Sequence, residues 1–82
     1  MKWITEAQYI ENFEIKITFN DKKVAIINFE SLLIGEIFEP LKDLSYFKNF
    51  TLNVELGVIT WPNGADFSPE FLYELTLGQL NA

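Results

Sequence analysis

Phe13-Glu14-Ile15-Lys16-Ile17-Thr18-Phe19 alternates without a break, apolar at 13, 15, 17 and 19 and polar at 14, 16 and 18. A β-strand points successive side chains to opposite faces, so this period of two describes a strand with one face in a core and the other in water. Asn20-Asp21-Lys22-Lys23 follows with turn chemistry, and residues 24–29 return as a strand, so 13–29 reads as a β-hairpin. Toward the N-terminus, residues 3–10 are rich in apolar and β-branched types and predict a first strand, set off from the hairpin by the turn residue Asn12.

Working toward the C-terminus, Glu30-Ser31-Leu32-Leu33-Ile34-Gly35 suits either a single helical turn capped by Ser31 and ended by Gly35, or an irregular loop whose leucines plug the core. Pro40 is expected to break the chain. Asp43 is a natural N-cap for a short helix over 44–48 that turns Leu44 and Phe47 inward. Phe50-Thr51-Leu52-Asn53-Val54-Glu55-Leu56 is a second unbroken alternation; with Gly57 as the turn and 58–61 returning, it predicts a second hairpin. Pro62-Asn63-Gly64 is turn chemistry. Ser68-Pro69-Glu70 then starts a helix: Ser as N-cap, Pro in the first helical position, an acid in the first turn. Phe71, Leu72 and Leu75 share the inner face, Glu70 and Glu74 point outward, Gly78 ends the helix, and the last four residues are expected to fray.

This order predicts an α+β fold: an antiparallel sheet of about five strands, built around two hairpins and packed in two layers with two or three short helices. Residues 1–82 read as a single domain, with no linker, repeat or low-complexity stretch. Hydrophobic residues make up 49% and aromatics 16% of the chain. That is ample apolar surface to offset the entropy of ordering a chain this short.

Composition narrows the function. The chain contains no Cys and no His, and its six positive charges are all Lys. Disulfides and thiolate metal sites are excluded; the commonest general base and the guanidinium fork suited to phosphate and guanine are missing as well. The net charge of −6 repels phosphate backbones and anionic membrane surfaces, which disfavours direct nucleic-acid or membrane binding. No apolar run approaches the about 20 residues of a transmembrane helix, and the N-terminus lacks a signal-peptide pattern. The expected compartment is cytoplasmic, and no cofactor motif is present.

The run Trp61-Pro62-Asn63-Gly64-Ala65-Asp66, with Pro69-Glu70 and Leu72-Tyr73 beyond it, resembles the C-terminal signature of the bacterial family called domain of unknown function 2442. Phe29, Leu32-Leu33, Gly35 and Phe38, then Pro40-Leu41, Asp43 and Phe47, resemble its middle section. The resemblance implies a small α+β domain, in some members fused to a DNA-binding helix-turn-helix. It also implies a gene placed beside that of another small protein, hence an antitoxin-like or regulatory role. It implies no catalytic residues. The shared helix is not followed here by a helix-turn-helix, which disfavours direct DNA contact.

The best candidate site is the loop of Trp61, Asn63, Gly64 and Asp66, with Tyr73 nearby in sequence. It reads either as a ligand or partner contact on a rigid turn, or as a structural turn. In the structural case Trp61 fills the core, Asn63-Gly64 makes the bend and Asp66 bonds backbone near the helix start. The second reading accounts for every residue type. Asp66, Glu70 and Glu74 offer three carboxylates for a hard cation, but the spacing of a calcium loop is missing. Glu36 and Glu39 are a carboxylate pair without room for a cleft. Tyr9, Tyr46 and Tyr73 could be acids or partner anchors, but tyrosine is more often a half-buried residue with a wet hydroxyl. Ser45 and Lys48 have a Ser-x-x-Lys spacing without its accompanying motifs. Phe38, Tyr46, Phe47, Phe67 and Tyr73 either exceed what one small core holds and leave an exposed apolar patch, or all pack internally; composition does not choose between the two. The resulting expectation is a non-catalytic protein-interaction module, binding itself or another small protein. The alternative is a small-molecule or divalent-metal-binding domain.

Overall fold

The computed structural model describes residues 1–80. Its strands are β1 (Ile4–Glu11), β2 (Glu14–Phe19), β3 (Val24–Asn28), β4 (Thr51–Asn53), β5 (Val58–Thr60) and β6 (Asp66–Phe67). Its α-helices are α1 (Leu44–Phe47) and α2 (Pro69–Leu80), and 3₁₀ turns lie at Glu30–Leu32 and Glu36–Lys42. The α+β class holds. The single sheet of about five strands does not: among the described residues, β1-β2-β3 and β4-β5-β6 form two separate three-stranded antiparallel sheets.

The first sheet follows the alternation that predicts it. Ile15, Ile17 and Phe19 of β2 are buried, with Ala7, Tyr9 and Ile27 from the neighbouring strands on the same inner face. Asn12 takes a positive φ of 49° to join β1 to β2. Register between β2 and β3 is unbroken, whereas β1 slips against β2 between Ile4 and Glu6 and again between Tyr9 and Glu11.

The second alternation fails half-way. β4 stops at Asn53, whose side-chain oxygen accepts the Leu56 N–H (3.1 Å) and whose carbonyl accepts the Gly57 N–H (2.7 Å). The strand therefore ends before Val54, and the turn carries Val54 and Leu56 out of the sheet, where they stand 76% and 69% exposed. A two-residue strand, β6, completes this sheet by pairing Asp66 with Thr60 and Phe67 with Ile59, where sequence alone suggests only turn.

Between the sheets, Pro40 does not break the chain. It sits inside the 3₁₀ turn Glu36–Lys42, and the φ usual in a 3₁₀ helix matches the one a proline ring imposes. Ser31 caps nothing; the Glu30–Leu32 turn starts after Phe29, and Asn28 Oδ1 accepts the Glu30 N–H (2.9 Å). Asp43 caps α1 as expected, accepting from Ser45 N–H at 3.1 Å. Phe47 turns inward, but Leu44 remains exposed. In α2, Leu72 is fully buried and Leu75 half-buried, Phe71 is exposed, and the helix continues through Gly78. Of the four residues expected to fray, Gln79 and Leu80 belong to α2, and Asn81 and Ala82 lie outside the described residues.

One buried cluster joins both sheets and α2, running from Ile4, Ile15, Ile17 and Ile27 through Phe29 and Phe47 to Ile59, Trp61 and Leu72. The aromatic surplus is absorbed here rather than exposed: Phe47 and Phe67 are buried, and Phe38, Tyr46 and Tyr73 pack half-buried against the cluster. The sheets meet where β1 begins, the Ile4 N–H donating to the Gly57 carbonyl at 2.8 Å.

Candidate functional site

Trp61 sits in the core rather than at a binding surface. Its ring lies 5.6 Å from Phe47, 5.8 Å from Phe67 and 6.2 Å from Phe29, and its indole N–H donates to the Phe47 carbonyl at 2.7 Å. The turn behind it closes on itself. Gly64 N–H donates to the Trp61 carbonyl and Trp61 N–H to the Ala65 carbonyl, both at 2.9 Å, with Gly64 at φ 88°. Asn63 uses both ends of its amide: Nδ2 donates to the Ile37 carbonyl (2.7 Å) and Oδ1 accepts the Ala65 N–H (3.1 Å). The loop thus pins the 3₁₀ segment to the second sheet, and its polar groups are spent on that task. Asp66 lies exposed on β6. The hydroxyl of Ser68, not Asp66, accepts the Phe71 N–H (3.4 Å) at the start of α2.

Tyr73 meets a different set of residues. Its hydroxyl donates to Asp21 Oδ2 at 2.5 Å and its ring packs edge-on against Phe19 at 5.0 Å. Lys2 Nζ reaches Asp21 Oδ2 at 3.2 Å and lies 4.4 Å from the centre of the Tyr73 ring. The Tyr73 hydroxyl, then the Lys23 N–H, hold the Asp21 carboxylate down to about 2. The same bond to Asp21 raises Tyr73, and Asp21 likewise raises Lys2. Glu70 is lowered by the Lys2 backbone N–H, which donates to its Oε2 at 3.1 Å. This cluster ties the N-terminus, the β2–β3 turn and α2 together. Sequence reading finds Tyr73 but not Lys2 or Asp21, because their partners lie 19 and 52 residues from Asp21 along the chain.

The remaining candidates are dispersed. Among the described residues no three acidic side chains gather where a metal ion would be held, Asp66, Glu70 and Glu74 included. Glu39 pairs with Lys42 at 3.0 Å, and the Ser45 hydroxyl donates to Asp43 at 2.9 Å as part of the α1 cap. Lys48 Nζ lies 5.2 Å from the centre of the Tyr9 ring.

What the surface does present is an open groove of about 600 Å³ between the N-terminus, the β4–β5 turn and the start of α2. Met1, Trp3, Val54, Leu56, Val58 and Pro69 line it, with Lys2, Glu55 and Glu70 among them. Met1, Trp3, Val54 and Leu56 are all exposed large apolar side chains. The sequence signal for this groove is misleading: Val54 and Leu56 continue a strand-like alternation, so they read as core.

A family model described as protein of unknown function (DUF2442) matches residues 4–77. The chain belongs to this family. The matched DUF2442 region takes in both sheets and most of α2, and so contains the Trp61 loop, the Asp21–Tyr73 pair and the Val54–Leu56 side of the groove. No curated protein and no solved structure matches this chain. Among the described residues no helix is long and apolar enough to cross a membrane.

Proposed function

We propose that this DUF2442 domain is a non-catalytic protein-interaction module, the antitoxin-like or regulatory partner of a small basic protein. The observation that carries this reading is the groove formed by Met1, Trp3, Val54 and Leu56, four exposed apolar side chains on a molecule of net charge −6. Contiguous apolar surface of this kind is characteristic of interfaces, and a tryptophan, here Trp3, is the type of residue that anchors them. Glu55 and Glu70 stand beside the apolar floor. A basic, amphipathic segment fits this arrangement, its apolar face on Trp3 and Leu56 and its cations toward Glu55 and Glu70, the Lys2 of the groove being already paired with Asp21. The same charge repels nucleic-acid phosphates, so an effect on DNA would pass through the partner.

The test is co-purification from native cells followed by reconstitution with the recovered protein. The reading expects a stoichiometric basic partner whose binding weakens as salt rises and is lost in Leu56→Lys, a change at an exposed position that leaves the core untouched. A complex that forms equally well with Leu56→Lys would refute the groove as the contact surface. A chain that recovers no partner would refute the interaction role.

A further inference from the structure

The two edges of the first sheet are unlike. β1 carries Glu6 and Glu11, slips register twice against β2 and is tied at Ile4 to the Gly57 carbonyl, all features that blunt an edge against further pairing. β3 has none of them. Its five residues, Val24-Ala25-Ile26-Ile27-Asn28, include no charge and no proline, and its register with β2 is continuous. Phe29 N–H donates to the Phe13 carbonyl and Phe19 N–H to the Lys23 carbonyl. By the alternation of an antiparallel ladder, Ala25 and Ile27 therefore face β2, while Val24, Ile26 and Asn28 turn their N–H and C=O groups away from it. Among the described residues no other strand pairs with this edge. Val24 and Ile26 also leave their side chains 47% and 50% exposed on the outer face.

The geometry points to a second copy of this chain as the occupant of that edge. An antiparallel pair of β3 strands with Ile26 on the two-fold axis sets Ile26 opposite Ile26 and Val24 opposite Asn28 of the second copy. Every outward N–H and C=O then finds a partner, and the outer faces join into one six-stranded sheet with an apolar Val24–Ile26 seam. The charges agree with this register. It carries the exposed Lys22, just before one strand, toward the exposed Glu30 just after the other, and the symmetry repeats that match at the opposite end. On a chain of net charge −6, an uncharged strand flanked by Lys22 and Lys23 is a place where two copies approach with little repulsion. This surface is separate from the groove, so the inference stands apart from the proposed function.

Sedimentation of the purified full chain across a concentration series up to about 1 mM, with hydrogen exchange at both ends of the series, tests it. The mass is expected to move from 9.5 kDa toward twice that value. As it does, the Val24, Ile26 and Asn28 amides gain protection, while those of Ala25 and Ile27 are protected throughout. Ile26→Lys, which places two like charges face to face at the axis, is expected to weaken self-association by about tenfold and leave the three amides unprotected. Its folding is checked by its melting curve. A wild-type chain that stays monomeric overturns the proposal without touching the groove reading. So does a dimer in which the three amides remain unprotected, or protection that appears only when another protein is added.

Discussion

The indole N–H of Trp61 and the carbonyl of Phe47 meet at 2.7 Å inside the core, and this bond links the second sheet to the last turn of α1. It joins elements that share no ladder. It also explains why a tryptophan, rather than a phenylalanine, stands at the centre of the aromatic cluster.

Trp61→Phe is expected to destabilise the chain by about 1–3 kcal/mol, the cost of leaving a buried carbonyl without its donor, with a further loss from imperfect packing. Trp61→Ala should cost about 3–5 kcal/mol, a large part of the stability of a domain this small. Urea unfolding followed by far-ultraviolet circular dichroism measures both. A loss below about 0.5 kcal/mol for Trp61→Phe would show that the bond contributes little.

Gly57 has φ 67°, and a Cβ there would sit 2.2 Å from the Cβ of Trp3. Gly57→Ala must therefore displace Trp3 and strain the Ile4–Gly57 bond that joins the sheets, in addition to the left-handed backbone. The expected loss is about 2–4 kcal/mol, combining overpacking with the backbone penalty. Gly64 has φ 88° but open space around the corresponding position, so Gly64→Ala should lose only the backbone part, about 1–2 kcal/mol. Melting of the two variants side by side checks the order; equal losses would remove the steric role assigned to Trp3.

Asp21 supplies a pH signature. Its folded value, about 2, lies below the ordinary 3.8, so its ionised form favours the folded state. That contribution is fully present above the ordinary value and is lost as pH falls through about 2. Glu70 is shifted in the same direction. Tyr73 and Lys2 are raised, so their contribution holds below their ordinary values of 10.0 and 10.5 and is lost in strong alkali. Asp21→Asn retains an acceptor for the Tyr73 hydroxyl but removes the charge. It should melt a few degrees below wild type at neutral pH, with the gap closing between about pH 4 and pH 2. A gap that stays constant over that range would assign the effect to something other than the carboxylate charge.

Legibility in the sequence tracked how local the deciding interaction is. The 13–29 hairpin was readable because alternation, turn and return strand lie within one continuous stretch. The Asp43 cap of α1 and the Ser68-Pro69 start of α2 were readable for the same reason. Val54 and Leu56 misled because a period of two records which side chains alternate, not whether the strand continues; the Asn53 side chain ends it by capturing the Leu56 N–H. Pro40 misled because its missing N–H and ring bulk, which exclude it from an α-helix interior, are accommodated in a 3₁₀ turn whose Ile37 carbonyl accepts from Asn63 Nδ2 instead. Of the candidate site residues, Trp61, Asn63 and Gly64 owe their conspicuous types to the core and the turn: the indole bonds Phe47, the amide bonds Ile37 and Ala65, and Gly64 takes φ 88°.

The α+β class, the strands of the first sheet and the absence of thiol and imidazole chemistry were set by the order and composition of the residues alone. They depend on backbone periodicity and on side chains that are either present or not. Tertiary structure decided the rest: two sheets in place of one, the meeting of Lys2, Asp21 and Tyr73, the groove around Trp3 and Leu56, and the bare edge of β3. Each depends on which distant segments the collapsing apolar surface brings into contact. Burial is non-directional and carries no record of sequence separation, so those contacts appear only once the whole chain is folded.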